Sequence, residues 1–195
     1  ALGANLRPGD ELLSPAGKPY DTLEEVIGIR PSAGSLAEYC ITYRQVDLKP
    51  DGSFDYENIE KAIHEKTKLI TIQRSKGYQT RPSFSVAQIG ELIAFVKKIK
   101  PDVICMVDNC YGEFVETIEP SDVGADMVVG SLIKNPGGGL APIGGYVAGR
   151  KDLIENCGYR LTSPGLGRES GRIPERYAVL LPGAFPCADR GGKRS

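Results

Sequence analysis

The stretch "VICMVD" (residues 103–108) decides the fold class, because five apolar residues in a row lead directly to a carboxylate. A continuous apolar run of this length is typical of a strand that is buried on both faces of a parallel sheet. The segment just before it, "SVAQIGELIAFVKKI" (85–99), carries apolar residues at i, i+3, i+4 and i+7 from Ile89. That spacing predicts an amphipathic helix, which Pro101 ends.

The same alternation continues on both sides of this pair. Further strands are predicted at "DELL" (10–13), "ITYRQVDL" (41–48), "KLITIQ" (68–73), "MVVG" (127–130) and "GGYVAG" (144–149). Further helices are predicted at "DTLEEVIGI" (21–29), "DYENIEKAIHEK" (55–66) and "RKDLIENCGY" (150–159). Strands that alternate with helices over short loops form βαβ units. The sequence therefore predicts an α/β fold with three layers, in which helices flank a mostly parallel sheet.

Composition narrows the class of partner. The 195 residues carry 24 basic and 25 acidic side chains, so a formal net charge of −1 offers no field that would attract nucleic acid or an anionic membrane. No apolar run is long enough to span a bilayer, and no signal peptide is recognisable. The five cysteines lack common zinc spacings, so we expect free thiols, no metal and a reducing, cytoplasmic location. Because the chain begins with alanine, we expect a fragment or a processed chain.

Two charged residues follow predicted strands. Asp108 ends "VICMVD", and Lys134 comes shortly after "MVVG" in "SLIKNPGGG" (131–139). Taken singly, Asp108 could be a helix cap or turn residue and Lys134 a surface lysine. Ligands of such sheets bind at the carboxyl ends of the strands, where these two residues would meet. A lysine that forms an imine and an aspartate that keeps a pyridine nitrogen protonated are the protein's part in pyridoxal phosphate chemistry.

The segment "MVDNCYGEFVETIEPSDVGADMVVGSLIKNPGGGLAPIGGYVAG" (106–149) resembles the core of the fold-type I pyridoxal phosphate enzymes of Cys/Met metabolism. With "GKPYDTLEEVIG" (17–28), "QRSKGY" (73–78) and "RPSF" (81–84), it is most similar to the aluminium-resistance, methionine gamma-lyase-like branch. The resemblance runs from residue 1 to about Gly171. It implies a pyridoxal 5'-phosphate-dependent lyase that acts on sulfur amino acids by β- or γ-elimination.

The resemblance also implies individual roles. Lys134 resembles the lysine that binds the cofactor and then moves protons at the substrate α-carbon, and Asp108 resembles the partner of the pyridine nitrogen. Tyr20 resembles the aromatic residue that stacks on the cofactor. Ser131 resembles a hydroxyl that binds the cofactor phosphate, although Ile133 stands where better-known lyases have a second hydroxyl.

Three neighbouring residues are weaker candidates for contact with the cofactor's ring oxygen. Gln73, Arg74 and Ser75 follow the strand "KLITI", where the family has a loop beside the ring.

Other features suggest less. Lys76 is not predicted to bind the cofactor, because it follows a different strand and lacks the glycine-rich continuation that comes after Lys134. "NPGGG" (135–139) lacks the residue order of a nucleotide-binding P-loop, so its glycines are expected to let backbone pack around the cofactor. His64, the single histidine, is expected to be a solvated surface residue, and a catalytic triad based on histidine is excluded.

The resemblance also predicts the domain organisation of the chain. Residues 1–171 are predicted to form the cofactor-binding core, and residues 172–195 a divergent tail that is frameshifted or disordered. The upstream phosphate-binding loop and the carboxylate-binding small domain of the family are not recognisable, so the chain alone is expected to be a poor catalyst. In the intact protein the resemblance implies an amino-acid substrate and self-association as a dimer or tetramer. Transamination and a non-catalytic α/β binding module remain alternatives.

Overall fold

A computed structural model describes residues 1–167 of the chain. Six strands form one sheet: β1 (Glu11–Ser14), β2 (Thr42–Gln45), β3 (Thr67–Gln73), β4 (Ile104–Asp108), β5 (Met127–Ser131) and β6 (Gly145–Gly149). Their order across the sheet is β2-β1-β3-β4-β5-β6. Strands β1 to β5 are parallel, and β6 alone pairs antiparallel, with β5. The predicted α/β class with a mostly parallel sheet is confirmed.

Helices cover both faces of the sheet. Within the described residues they are α1 (Leu2–Asn5), α2 (Asp21–Ile27), α3 (Tyr56–Ala62), α4 (Val86–Ile99) and α5 (Lys151–Leu161), with three short 3₁₀ helices at Leu36–Tyr39, Pro120–Val123 and Asn135–Gly137. α3 and α4 pack on one face around Ile70 and Val107, and α1, α2 and α5 pack on the other around Leu69 and Met106. Because consecutive residues of β3 and of β4 enter opposite cores, both faces of these central strands are buried and their middle positions are largely apolar. No helix among residues 1–167 is long and apolar enough to cross a membrane.

Helix α4 begins and ends as its sequence predicts. The Ser85 hydroxyl accepts a hydrogen bond from the backbone N–H of Gln88, and the Gln88 side chain accepts one from the N–H of Ser85. This reciprocal capping box satisfies two backbone N–H donors at the start of the helix, where no preceding turn supplies a carbonyl acceptor. The buried residues of the helix include Ile89, Leu92 and Val96, the predicted apolar face.

Two predicted elements are much shorter in the structure. Helix α3 ends at Ala62 rather than continuing to residue 66, because the backbone turns there to enter β3. The Thr67 hydroxyl accepts a hydrogen bond of 3.1 Å from the N–H of His64 and so stabilises this turn. Strand β2 covers Thr42–Gln45 only, since it is an edge strand paired with β1 alone. The predicted tail, residues 172–195, lies outside the described residues.

Candidate active site

Asp108 and Lys134 lie at the same edge of the sheet. Asp108 is the last residue of β4, and Lys134 comes three residues after the end of β5. These strands are parallel neighbours, with Asp108 opposite Val129, so their carboxyl ends meet. The Lys134 N–H donates a hydrogen bond of 3.3 Å to the Ser131 carbonyl. This contact closes a turn after β5 and keeps Lys134 near the end of that strand.

Cys110 contacts Asp108 through its backbone. Its N–H donates a hydrogen bond of 3.0 Å to Asp108 Oδ1. Burial, and then the charge of Asp108, raise the pKa of Cys110 to about 11. Burial lowers the pKa of Lys134, but Cys110, Tyr111 and Asp108 together shift it upward, so the free amine is protonated at neutral pH.

Tyr111 presents its ring to the lysine. The Lys134 Nζ lies 4.3 Å from the ring centroid, a distance at which an ammonium is attracted to the face of an aromatic ring. Tyr111 holds a positive φ of 67°, which non-glycine residues adopt rarely, and its side chain is exposed. The sequence reasoning missed this contact, because the loop conformation that produces it has no periodic signal.

Tyr20 reaches the same edge from the start of α2. Its backbone N–H donates a hydrogen bond of 2.7 Å to Gln73 Oε1, which ties it to the end of β3. Its ring stacks on Tyr78, and the charge of Tyr111 also affects its pKa. Tyrosines 20, 78 and 111 are therefore gathered around the carboxyl ends of the central strands.

The other predicted residues lie at the same edge of the sheet, and the Gln73 side chain is engaged with the protein itself. The Gln73 side chain also donates a hydrogen bond of 3.0 Å to the Ser75 carbonyl, so both ends of its amide are used. Ser131 is half-buried at the last position of β5, opposite Gly145. The structure thus brings Ser131, Gln73 and Ser75 to the edge that carries Lys134 and Asp108.

The Arg74 side chain makes its contacts within the protein. It is buried, and its guanidinium donates hydrogen bonds of 2.8 Å to the Asn109 side chain and to the Gly112 carbonyl. It also forms an ion pair with Glu116. Arg74 therefore holds the loop that follows β4, and with it Tyr111, rather than facing the open edge.

His64 lies at the opposite end of the parallel strands, just before β3 begins. The residue is exposed, as predicted, but its Nε2 lies 3.0 Å from Oε1 of the buried Glu11 at the start of β1. Burial raises the pKa of Glu11, and contacts from His64, Arg44 and Thr67 outweigh that effect and lower it. His64 is thus a partner for a buried carboxylate and is remote from Lys134.

Residues 1–189 match the family described as methionine gamma-lyase. The match continues past Gly171, and the domain boundary predicted there stays a prediction. Over 187 residues the chain is 60% identical to the uncharacterized protein YnbB of Bacillus subtilis, covering 95% of the chain and 44% of YnbB.

Two solved structures extend the comparison. The carbon–sulfur lyase involved in aluminium resistance from Clostridium novyi is 51% identical, with a TM-score of 0.87 over 94% of this chain and 43% of its own. The metY protein of Campylobacter jejuni contains N'-pyridoxyl-lysine-5'-monophosphate. It is 25% identical, with a TM-score of 0.57 over 80% of this chain and 34% of its own. The chain thus spans less than half the length of these relatives. Because residues 1–189 match the methionine gamma-lyase family, the chain belongs to that family.

Proposed function

We propose that the protein containing this chain is a pyridoxal phosphate-dependent carbon–sulfur lyase that acts on sulfur amino acids by β- or γ-elimination. The observation that carries the proposal is that β4 and β5 are parallel neighbours, so that Asp108 at the end of β4 and Lys134 in the turn after β5 lie at the same edge of the sheet. The solved relative that contains a pyridoxyl-lysine supports the choice of cofactor, and the relative described as a carbon–sulfur lyase supports the choice of reaction.

The side chains at the edge fit the chemistry of this cofactor. An amine for covalent attachment, a carboxylate for a ring nitrogen and aromatic rings for stacking are all present within one group of loops. When bound, pyridoxal phosphate supplies a protonated pyridine ring that withdraws electrons from the substrate α-carbon. In this assignment Lys134 would hold it covalently and Asp108 would face its nitrogen.

The remaining residues would bind and orient. Tyr20 would stack on the ring, and Ser131 would donate its hydroxyl to the phosphate. Gln73 and Ser75 would lie beside the ring oxygen, with the Gln73 amide also fixing the backbone of Tyr20. After attachment of the substrate, the freed Lys134 amine would remove the proton from the α-carbon, and it could then protonate the sulfur that leaves as a thiol.

Lys134→Ala tests the assignment, with Lys76→Ala as the matched control. Lys76 is exposed on the loop after β3, so its replacement should leave both cofactor uptake and fold intact. We expect borohydride reduction of the intact protein with pyridoxal phosphate, followed by peptide mapping, to place the label on Lys134. Lys134→Ala should lose both the label and the visible absorption band while its circular dichroism spectrum is retained. Labelling at Lys76 would show that the assignment is wrong.

Product analysis distinguishes the reaction. Elimination from a sulfur amino acid releases ammonia, a keto acid and a thiol, whereas transamination retains the nitrogen on the enzyme and releases no thiol. We expect all three elimination products from the intact protein. A protein that binds no cofactor would instead support the non-catalytic binding module.

The assembly and location of the intact protein are proposed with the activity. We propose self-association as a dimer or tetramer, which sedimentation velocity would measure. We also propose a cytoplasmic location, because Cys40, Cys105, Cys110 and Cys157 of the described residues are free thiols. A reducing compartment keeps such thiols unpaired.

A further inference from the structure

The loop between β3 and α4 grips the segment that carries Tyr20. Gln73 at the end of β3 accepts a hydrogen bond from the Tyr20 N–H, and Gln79 Nε2 donates one of 3.0 Å to the Lys18 carbonyl. Between these two contacts lies Tyr78, whose ring stacks on that of Tyr20. The ring centroids are 5.6 Å apart, the planes are inclined by 24°, and the two hydroxyl oxygens are 3.3 Å apart.

Gly77 makes the close approach of this loop feasible. Its φ is +56°, and a Cβ atom placed there would lie 3.3 Å from Tyr20 Cδ2 and 3.1 Å from Gln73 Nε2. Contacts this short are rare for real side chains, so the Gln73 and Tyr20 side chains would have to shift by a few tenths of an ångström around a larger residue. Glycine therefore favours the close approach of the loop to Tyr20.

Arg81 closes the base of the loop. Its Nη2 donates hydrogen bonds of 3.0 Å to the Gln73 carbonyl and 2.7 Å to the Ser75 carbonyl, and its guanidinium lies 4.3 Å from the centre of the Phe84 ring. The loop is thus held by protein contacts at its base while Tyr78 stays 83% exposed at its tip. An aromatic ring so exposed contributes little to a core, and the aromatic ring it stacks on is Tyr20.

We propose that Tyr78 is a positioning residue of the active site, which fixes the ring and hydroxyl of Tyr20 in the orientation that stacks on the cofactor. This inference rests on the proposed function, in which Tyr20 contacts pyridoxal phosphate. The contact between the hydroxyl groups is also the largest cause that raises the pKa of Tyr20, to about 12.

A double-mutant cycle in the intact protein tests this role, with pyridoxal phosphate as the probe. We expect Tyr78→Ala to weaken cofactor binding by about two- to tenfold, the contribution of one stacked aromatic pair. In a Tyr20→Ala background the same substitution should have no effect, because the ring that Tyr78 positions is absent. Tyr78→Phe retains the ring and should lose less affinity than Tyr78→Ala.

The controls distinguish a positioning role of Tyr78 from a general loss of structure. Tyr39→Ala replaces an exposed tyrosine of a distant 3₁₀ helix and should leave cofactor affinity unchanged. Near-ultraviolet circular dichroism in the tyrosine region should change on loss of either Tyr20 or Tyr78, because each substitution removes the stacked pair. An equal loss of affinity in both backgrounds, or no loss at all, would overturn the role of Tyr78. Failure of the wild-type protein to take up cofactor on Lys134 would instead overturn the proposed function, and this inference with it.

Discussion

Glu113 offers a test of the site through the pH dependence of stability. The residue lies in the loop after β4 and is only 5% exposed. Its Oε1 accepts a hydrogen bond of 2.9 Å from the Tyr146 hydroxyl, while its Oε2 is buried with no hydrogen-bond partner among the described residues. Burial raises the pKa of Glu113 above its ordinary value of 4.5, and the contact with Tyr146 only partly offsets this.

The direction of the pH effect follows from the raised pKa. Between pH 4.5 and the native pKa, the folded protein keeps a proton on Glu113 that the unfolded chain has already lost. The contribution of Glu113 to stability is therefore fully present below pH 4.5, is lost as the pH rises through that window, and is constant above it. The slope for one proton is about 1.4 kcal/mol of unfolding free energy per pH unit.

Glu113→Gln removes the titrating group and retains an oxygen that can accept from Tyr146. We expect the unfolding free energy of the variant, relative to wild type, to increase with that slope from pH 4.5 upward and then level off. Urea unfolding followed by circular dichroism at a series of pH values at constant ionic strength measures the difference. A difference between Glu113→Gln and wild type that is independent of pH would refute the reasoning.

Two further substitutions probe the site and its support. Asp108→Ala should reduce turnover of the intact protein by several powers of ten, at about 1.4 kcal/mol of barrier for each, while the circular dichroism spectrum is retained; near-normal turnover would contradict the assigned role. Gly112→Ala should destabilise the fold by about 1–3 kcal/mol, because the added methyl group would lie 2.5 Å from Arg74 Cδ. Gly3→Ala, whose nearest contact would be an ordinary 3.6 Å, is its control, and equal urea stability of the two variants would show that Gly112 is not constrained by Arg74.

The sequence alone was sufficient to predict the fold class and the position of two charged residues at one edge of the sheet. The apolar run of β4 and the helical period of α4 are local patterns, so they can be recognised without knowing what packs against them. Asp108 and Lys134 could be predicted together because parallel strands place their carboxyl ends at one edge, and the structure confirms that β4 and β5 are neighbours.

Features that depend on distant contacts could not be predicted in the same way. The direction of β6 is one example, since "GGYVAG" predicts a strand but carries no information about its antiparallel pairing with β5. The end of α3 at Ala62 was missed for a different, local reason, because the Thr67 hydroxyl stabilises a turn where the residue pattern continues the helix.

The surroundings of the site were decided by tertiary structure alone. Tyr78 and Tyr111 reach Tyr20 and Lys134 through loops whose conformations depend on Gly77 and on strained backbone. Arg74, a candidate ligand by position in the chain, is instead buried beneath the loop after β4. Hydrophobic periodicity determines which residues lie in strands and helices, because burial of apolar surface repeats along the chain. Which side chains meet across loops depends on the packing of segments far apart in sequence, and no local pattern records it.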